Sequence, residues 1–103
     1  MKMLMLAESV SGTAVAAQTA VGLTATPFLD GRDVIARLIS NGLTVTPTIL
    51  IQGSPDNSTW TTLATHTVLV DKEYNIKASR YMRTNVTVAA GAGTFSCYLN
   101  NGV

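Results

Sequence analysis

Charge is what this sequence has least of. Of its 103 residues only 13% are Asp, Glu, Lys or Arg, against about 25% in an ordinary globular domain. The net charge is +1 and no block of like charges occurs, so the electrostatic footprint of nucleic-acid binding is missing. With 47% hydrophobic residues, the surface is short of solubilising groups. Such a surface is commonly covered by partners or by copies of the same chain. Cysteine is almost absent as well. Cys97 stands alone and cannot form an internal disulfide. Its place in the alternating run Phe95, Cys97, Leu99 predicts a buried, inert thiol. Stability is then drawn from packing and subunit contacts, as suits assembly in a reducing cytoplasm.

Long apolar runs are lacking too. The N-terminal stretch Met3 to Ala7 is interrupted by Glu8 and Ser9, below the roughly 7–15 residues of a signal-peptide core. No signal peptide is expected, and no stretch approaches the length of a membrane span.

His66 is the single histidine, with no second imidazole or thiol nearby to complete a zinc site, and it reads as a surface or partly packed residue. Asp56, Asp71 and Glu73 lack the spacing of a calcium loop, and Asp56 is explained as a turn cap. Gly91-Ala92-Gly93 lacks the helix and lysine of a phosphate-binding loop. No Ser/His/Asp order fits a hydrolase. The chain is therefore expected to be no enzyme and to carry no metal or cofactor. Asn57-Ser58-Thr59 and Asn85-Val86-Thr87 match glycosylation sequons, but without a secretory signal they read as turn and strand residues.

What is present is β-forming sequence. A single domain, 1–103, is expected, all-β, a β-sandwich or jelly-roll-like fold of about seven to eight strands. Its centre is a hairpin. A strand from Leu43 to Gly53 places Val45, Ile49 and Ile51 on one face, with Pro47 at an edge, a bulge or the strand's beginning. The chain turns through Gly53-Ser54-Pro55-Asp56-Asn57-Ser58 and returns through Thr59-Trp60-Thr61-Thr62-Leu63.

Elsewhere, residues 3–10 read as a first strand. Ser11 to Thr26 reads as extended, with Val21 and Leu23 on one face, and residues 1–26 are a candidate arm for intersubunit contacts. Pro27 to Gly31 is a turn. Val34, Ala36 and Leu38 face inward, and Asn41-Gly42 is the pair most typical of a short hairpin. His66 to Val70 continues extended, and Asp71-Lys72-Glu73 reads as a charged turn. Tyr74, Ile76 and Ala78 alternate, and Met82, Val86 and Val88 share a phase in the strand 80–88. A turn over 89–93 precedes a closing strand from Thr94 to Leu99, and the tail 100–103 is expected to fray.

Aromatics are few, at 6%. Trp60, Tyr74, Tyr81 and Tyr98 are each able to stack on a sugar, though an aromatic on a sheet face more often packs in a core or interface. Arg80 and Arg83 are candidates for an anion or for ion pairs within or between subunits.

Two segments, read together, carry a resemblance. Ile51 to Leu63 is similar to the "GS-DG-TWTTL" hairpin of small structural proteins of tailed bacteriophages, and Arg80-Tyr81-Met82-Arg83 resembles the "RYVR" strand that accompanies it. The resemblance covers roughly the C-terminal half. It implies a virion structural protein, a capsid decoration (cement) protein, assembled in the host cytoplasm and located on the capsid surface. The implied partners are the major capsid protein and further copies of the chain, as a homotrimer, with no nucleic acid and no membrane. Ser54, Pro55, Asp56, Asn57, Trp60, Arg80 and Arg83 are the candidate interface residues. The same segments also resemble discoidin-like domains, which implies the alternative of a tail or fibre module binding host glycan. The chain is shorter than that family and lacks its paired cysteines.

Overall fold

A period of two in apolar character is what turns this chain into sheets. Val34, Ala36 and Leu38 are buried and alternate with more exposed neighbours, so residues 33–41 form a strand with one inward face. The same alternation sets Ile49 and Ile51, Met82 and Val86, and Phe95, Cys97 and Leu99 into the interior. The computed structural model describes residues 3–11, 21–22, 32–89 and 91–100. Their strands are β1 (Met3–Ser11), β2 (Val21–Gly22), β3 (Asp33–Asn41), β4 (Thr48–Ser54), β5 (Thr61–His66), β6 (Lys72–Lys77), β7 (Tyr81–Val88) and β8 (Thr94–Asn100). No helix is found among the described residues.

Six strands make the body, as two three-stranded antiparallel sheets, β8-β3-β6 and β7-β4-β5. β1 lies on the outer side of β8 and β2 bridges to β7, so the full orders are β1-β8-β3-β6 and β2-β7-β4-β5. The expected seven to eight strands overstate this body. β1 pairs with shifts between Met5 and Ala7 and between Ala7 and Val10, and β2 has only two residues. The inward side chains of β3, β4, β6, β7 and β8 form one cluster, with Leu63, Ala64 and Tyr74 packed against it. The fold is all-β, with the core between the two sheets, an arrangement compatible with a β-sandwich.

The central hairpin forms as read: β4 and β5 pair antiparallel, with a bulge that skips Leu63. Pro47 stands just before β4 and is buried, consistent with its missing amide donor. Several boundaries differ from expectation. The strand begins at Thr48 rather than Leu43, and Val45 is 54% exposed, because residues 42–47 carry the chain from one sheet to the other. For the same reason Asn41-Gly42 is not a hairpin turn. β3 and β4 do not pair, and Gly42 with φ 77° serves a crossover.

β5 ends at His66, with bends at 68–70, and Lys72 and Glu73 belong to β6. In β7 the inward residues are Met82, Thr84 and Val86, whereas Val88 is exposed at the strand's end. Of the tail 100–103, Asn100 is the last residue of β8, paired with Met3 and Ile35, and 101–103, like Leu23 and the rest of 12–20 and 23–31 with its Pro27–Gly31 turn, lie outside the described residues. Of the candidate arm, the described pieces are β1 and β2.

Thr84 is the one polar residue in that inward row. It is buried, and its hydroxyl has no hydrogen-bond partner among the described residues. An unpaired buried hydroxyl costs about 1–3 kcal/mol. Thr84→Val keeps the shape and removes the hydroxyl, so it is expected to raise stability by about 1–2 kcal/mol. Denaturant unfolding checks this: the midpoint should rise at unchanged slope.

Candidate functional site

Strand register sorts the connections to two ends of the domain. Thr48 pairs with Val88, Asn41 with Thr94, Ile49 with His66 and Leu38 with Lys72. Loops 42–47, 67–71 and 89–93 therefore emerge together. At the opposite end Ser54 pairs with Tyr81 and Gly53 with Thr61, which brings together the 55–60 turn and the 78–80 loop.

At the turn end, Asp56 organises the hairpin tip. Its Oδ1 accepts from the Thr59 amide at 2.8 Å, the Ser58 amide at 2.9 Å and the Ser54 hydroxyl at 2.9 Å. These bonds, the Thr59 and Ser58 amides first, hold the exposed carboxyl below its ordinary 3.8. Asn57 adopts φ 60°, a left-handed conformation that asparagine tolerates. Pro55, Asp56 and Asn57 are exposed, whereas Ser54 is fully buried and acts within the turn.

Trp60 is half-buried at the foot of β5. The Arg83 guanidinium lies over its ring, 4.1 Å from the centroid, and Arg83 Nε donates to Gln52 Oε1 at 2.8 Å. Gln52, Arg83 and Thr62 face each other across β7, β4 and β5, on the side of the sheet opposite Ile51 and Thr84. Arg80 instead is exposed, 6.0 Å from the Tyr81 ring. Arg80 lines an open cleft of about 410 Å³ with Pro55, Leu63, Lys77, Ala78 and Ser79.

The candidate residues thus divide. Trp60 and Arg83 form one cluster, Pro55 and Arg80 belong to the cleft, and Ser54, Asp56 and Asn57 shape the turn.

The other end exposes apolar side chains and little charge. Val45, Leu69, Val70 and Val88 are 54%, 42%, 66% and 49% exposed. The loops 42–47, 67–71 and 89–93 contain a single charged residue, Asp71, and its Oδ1 accepts from the Ser40 amide at 2.8 Å. The loops hold one another: the Ala92 amide donates to Thr44 Oγ1 at 3.0 Å. At Gly93, with φ 93°, any Cβ would collide with the Gly42 backbone. Sequence reading assigned these residues to strands and turns and missed the patch. Its signal was the run of loops with almost no charge.

His66 is not a surface residue. It is fully buried, and Nδ1 shares a 2.7 Å hydrogen bond with the Tyr74 hydroxyl. The rings meet edge to face at 5.9 Å. Since β5 and β6 belong to different sheets, this bond ties the sheets together along one side. Cys97 is buried, as expected, and burial pushes its thiol up to about 12, which suppresses the thiolate. Among the described residues no group of three His, Cys, Asp or Glu could hold a metal ion. Comparison with known proteins matches the chain to no family model and to no curated protein.

Two measurements follow from this geometry. Burial holds the His66 imidazole below its ordinary 6.5, so the unfolded chain binds this proton more tightly. Stability is then complete above about pH 6.5 and falls as pH drops through that value. The Asp56 contribution is lost only below 3.8. Melting temperature should decline as pH falls below about 6.5, and His66→Gln should flatten that decline. Separately, Trp60→Ala is expected to cost about 1–3 kcal/mol by denaturant unfolding, less than the roughly 3–5 kcal/mol of a fully buried indole.

Proposed function

We propose that this chain is a non-enzymatic virion structural protein of a tailed bacteriophage, a capsid decoration protein. In this reading it binds the outer shell as a homotrimer and stabilises the shell through protein–protein contacts. The observation that carries the reading is the charge-poor end with its exposed Val45, Leu69, Val70 and Val88. A small domain gains nothing from exposing these side chains to water, and burying each against a neighbour is favourable by about 25 cal/mol per Å² of apolar area. Bound copies would then stabilise the assembled state by mass action, with no chemistry required.

The strand order adds support. In β1-β8-β3-β6 and β2-β7-β4-β5, the chain crosses between sheets at every connection except the β4–β5 hairpin. This winding supports a jelly-roll reading, an architecture found in viral capsid proteins and in lectins. The alternative, a tail or fibre module binding host glycan, needs an open aromatic face. Trp60 offers little of one, because Arg83 lies on its ring.

Copy number in purified particles, measured by quantitative mass spectrometry against the major shell protein, tests the reading. Near-stoichiometric abundance is expected; a handful of copies would favour the tail or fibre alternative, and none would end both. Val70→Asp should change folding stability by no more than about 0.5 kcal/mol, yet sharply reduce incorporation into particles.

A further inference from the structure

The cleft at the turn end differs in chemistry from the apolar end. Its apolar lining is Pro55, Leu63 and Ala78, and its polar lining is Ser79 with the exposed side chains of Lys77 and Arg80. Among the described residues no carboxylate lines it. Two described acids are otherwise placed. Asp56 is turned onto its own loop by the Ser54, Ser58 and Thr59 donors. Asp33 is opposite Lys77 in register, but no ion pair forms between them. Two cations beside apolar lining residues call for a ligand that is anionic and apolar at once.

The walls are set by backbone. A Cβ at Gly53 would stand 2.8 Å from Ser79 Cβ and 2.9 Å from Leu63 Cδ1, so only glycine lets the 78–80 loop lie so close to β4. The Ala78 amide donates to the Arg32 carbonyl at 2.9 Å, and the Ser79 amide donates to Met82 Sδ at 3.3 Å. A cleft fixed in this way spends little ordering entropy when it is filled. Leu63 belongs to β5 and Lys77 to β6, each the last strand of its sheet. An extended chain entering the cleft therefore meets strand edges that, among the described residues, have a ladder partner on one side only.

We propose that this cleft docks an extended acidic segment of a partner protein, with a carboxylate held between Lys77 and Arg80 and a neighbouring apolar side chain seated on Leu63 and Ala78. The inference rests on the assembly reading above and deepens it, by assigning a second, charge-selective contact at the end away from the apolar patch.

Amide chemical-shift titration of the full chain with a short blocked peptide alternating leucine and glutamate tests it. Shifts are expected at Leu63 and at Lys77 to Arg80, weakening with added salt. Replacing the glutamates of the peptide by glutamine should abolish them. The double variant Lys77→Glu/Arg80→Glu, with both changes at exposed positions, should bind about tenfold more weakly or worse, with its remaining amide spectrum unchanged. Shifts that fall elsewhere, or that survive the double reversal, overturn the proposal. So does glucuronate or inorganic phosphate moving the same amides as strongly as the peptide, since the site would then take a sugar acid or any anion. Particle copy number separates the two readings. A chain abundant in particles but blind to the peptide loses the cleft and keeps the assembly role. A chain that binds the peptide but is absent from particles does the reverse.

Discussion

Everything in this domain depends on two sheets burying one face each against the other. With a single cysteine and little charge, neither disulfides nor ion-pair networks are on hand to hold it. The interior has to be made by strand alternation alone: Val34, Ala36 and Leu38 from one sheet, Ile49, Ile51, Met82 and Val86 from the other, with Phe95, Cys97 and Leu99 completing the layer. Because side chains on a strand repeat every two residues, a slip of one position would expose a whole row. Register is thereby strongly specified in the six body strands. Thr84 is a polar exception within the inward row of β7 that this packing tolerates.

The open side between β5 and β6 shows how few polar devices are spent on closure. There the His66–Tyr74 hydrogen bond spans the two sheets, and its cost is a buried imidazole that resists protonation. On the outer face of β4, β5 and β7 the Arg83–Trp60 stack and the Arg83–Gln52 bond cover an indole that the thin core leaves half outside. Both are local solutions to the same shortage: a chain of 103 residues has a limited interior, so large side chains finish their packing at the rim.

Polarity is divided between the ends. The turn end carries Asp56, hydrogen-bonded into its own turn, with exposed Lys77 and Arg80, and the other end presents Val45, Leu69 and Val70 on loops bearing a single charge, beside Val88 at the end of β7. A domain with unlike ends suits a position between unlike neighbours, one contact driven by apolar burial and the other selected by charge. That division is the physical basis for reading the chain as an assembly component.

The all-β class, the β4–β5 hairpin, the polar turn capped by Asp56, and the inward sets around Ala36, Ile76 and Cys97 were legible in the sequence. Each rests on local rules, alternation and turn chemistry, that act within a few residues. The crossover at Asn41-Gly42, the exposure of Val45 and Val88, and the burial of His66 were not. Each depends on which sheet the next strand joins, and the residues of a loop do not encode the position of a strand thirty residues away. The cleft was invisible for the same reason: Pro55, Leu63 and Lys77 to Arg80 become neighbours only because β5 and β6 close the same side. By itself the sequence determined that strands form and which face of each is apolar. Only the tertiary structure decided which loops share an end, because long-range pairing, not local propensity, sets that geometry.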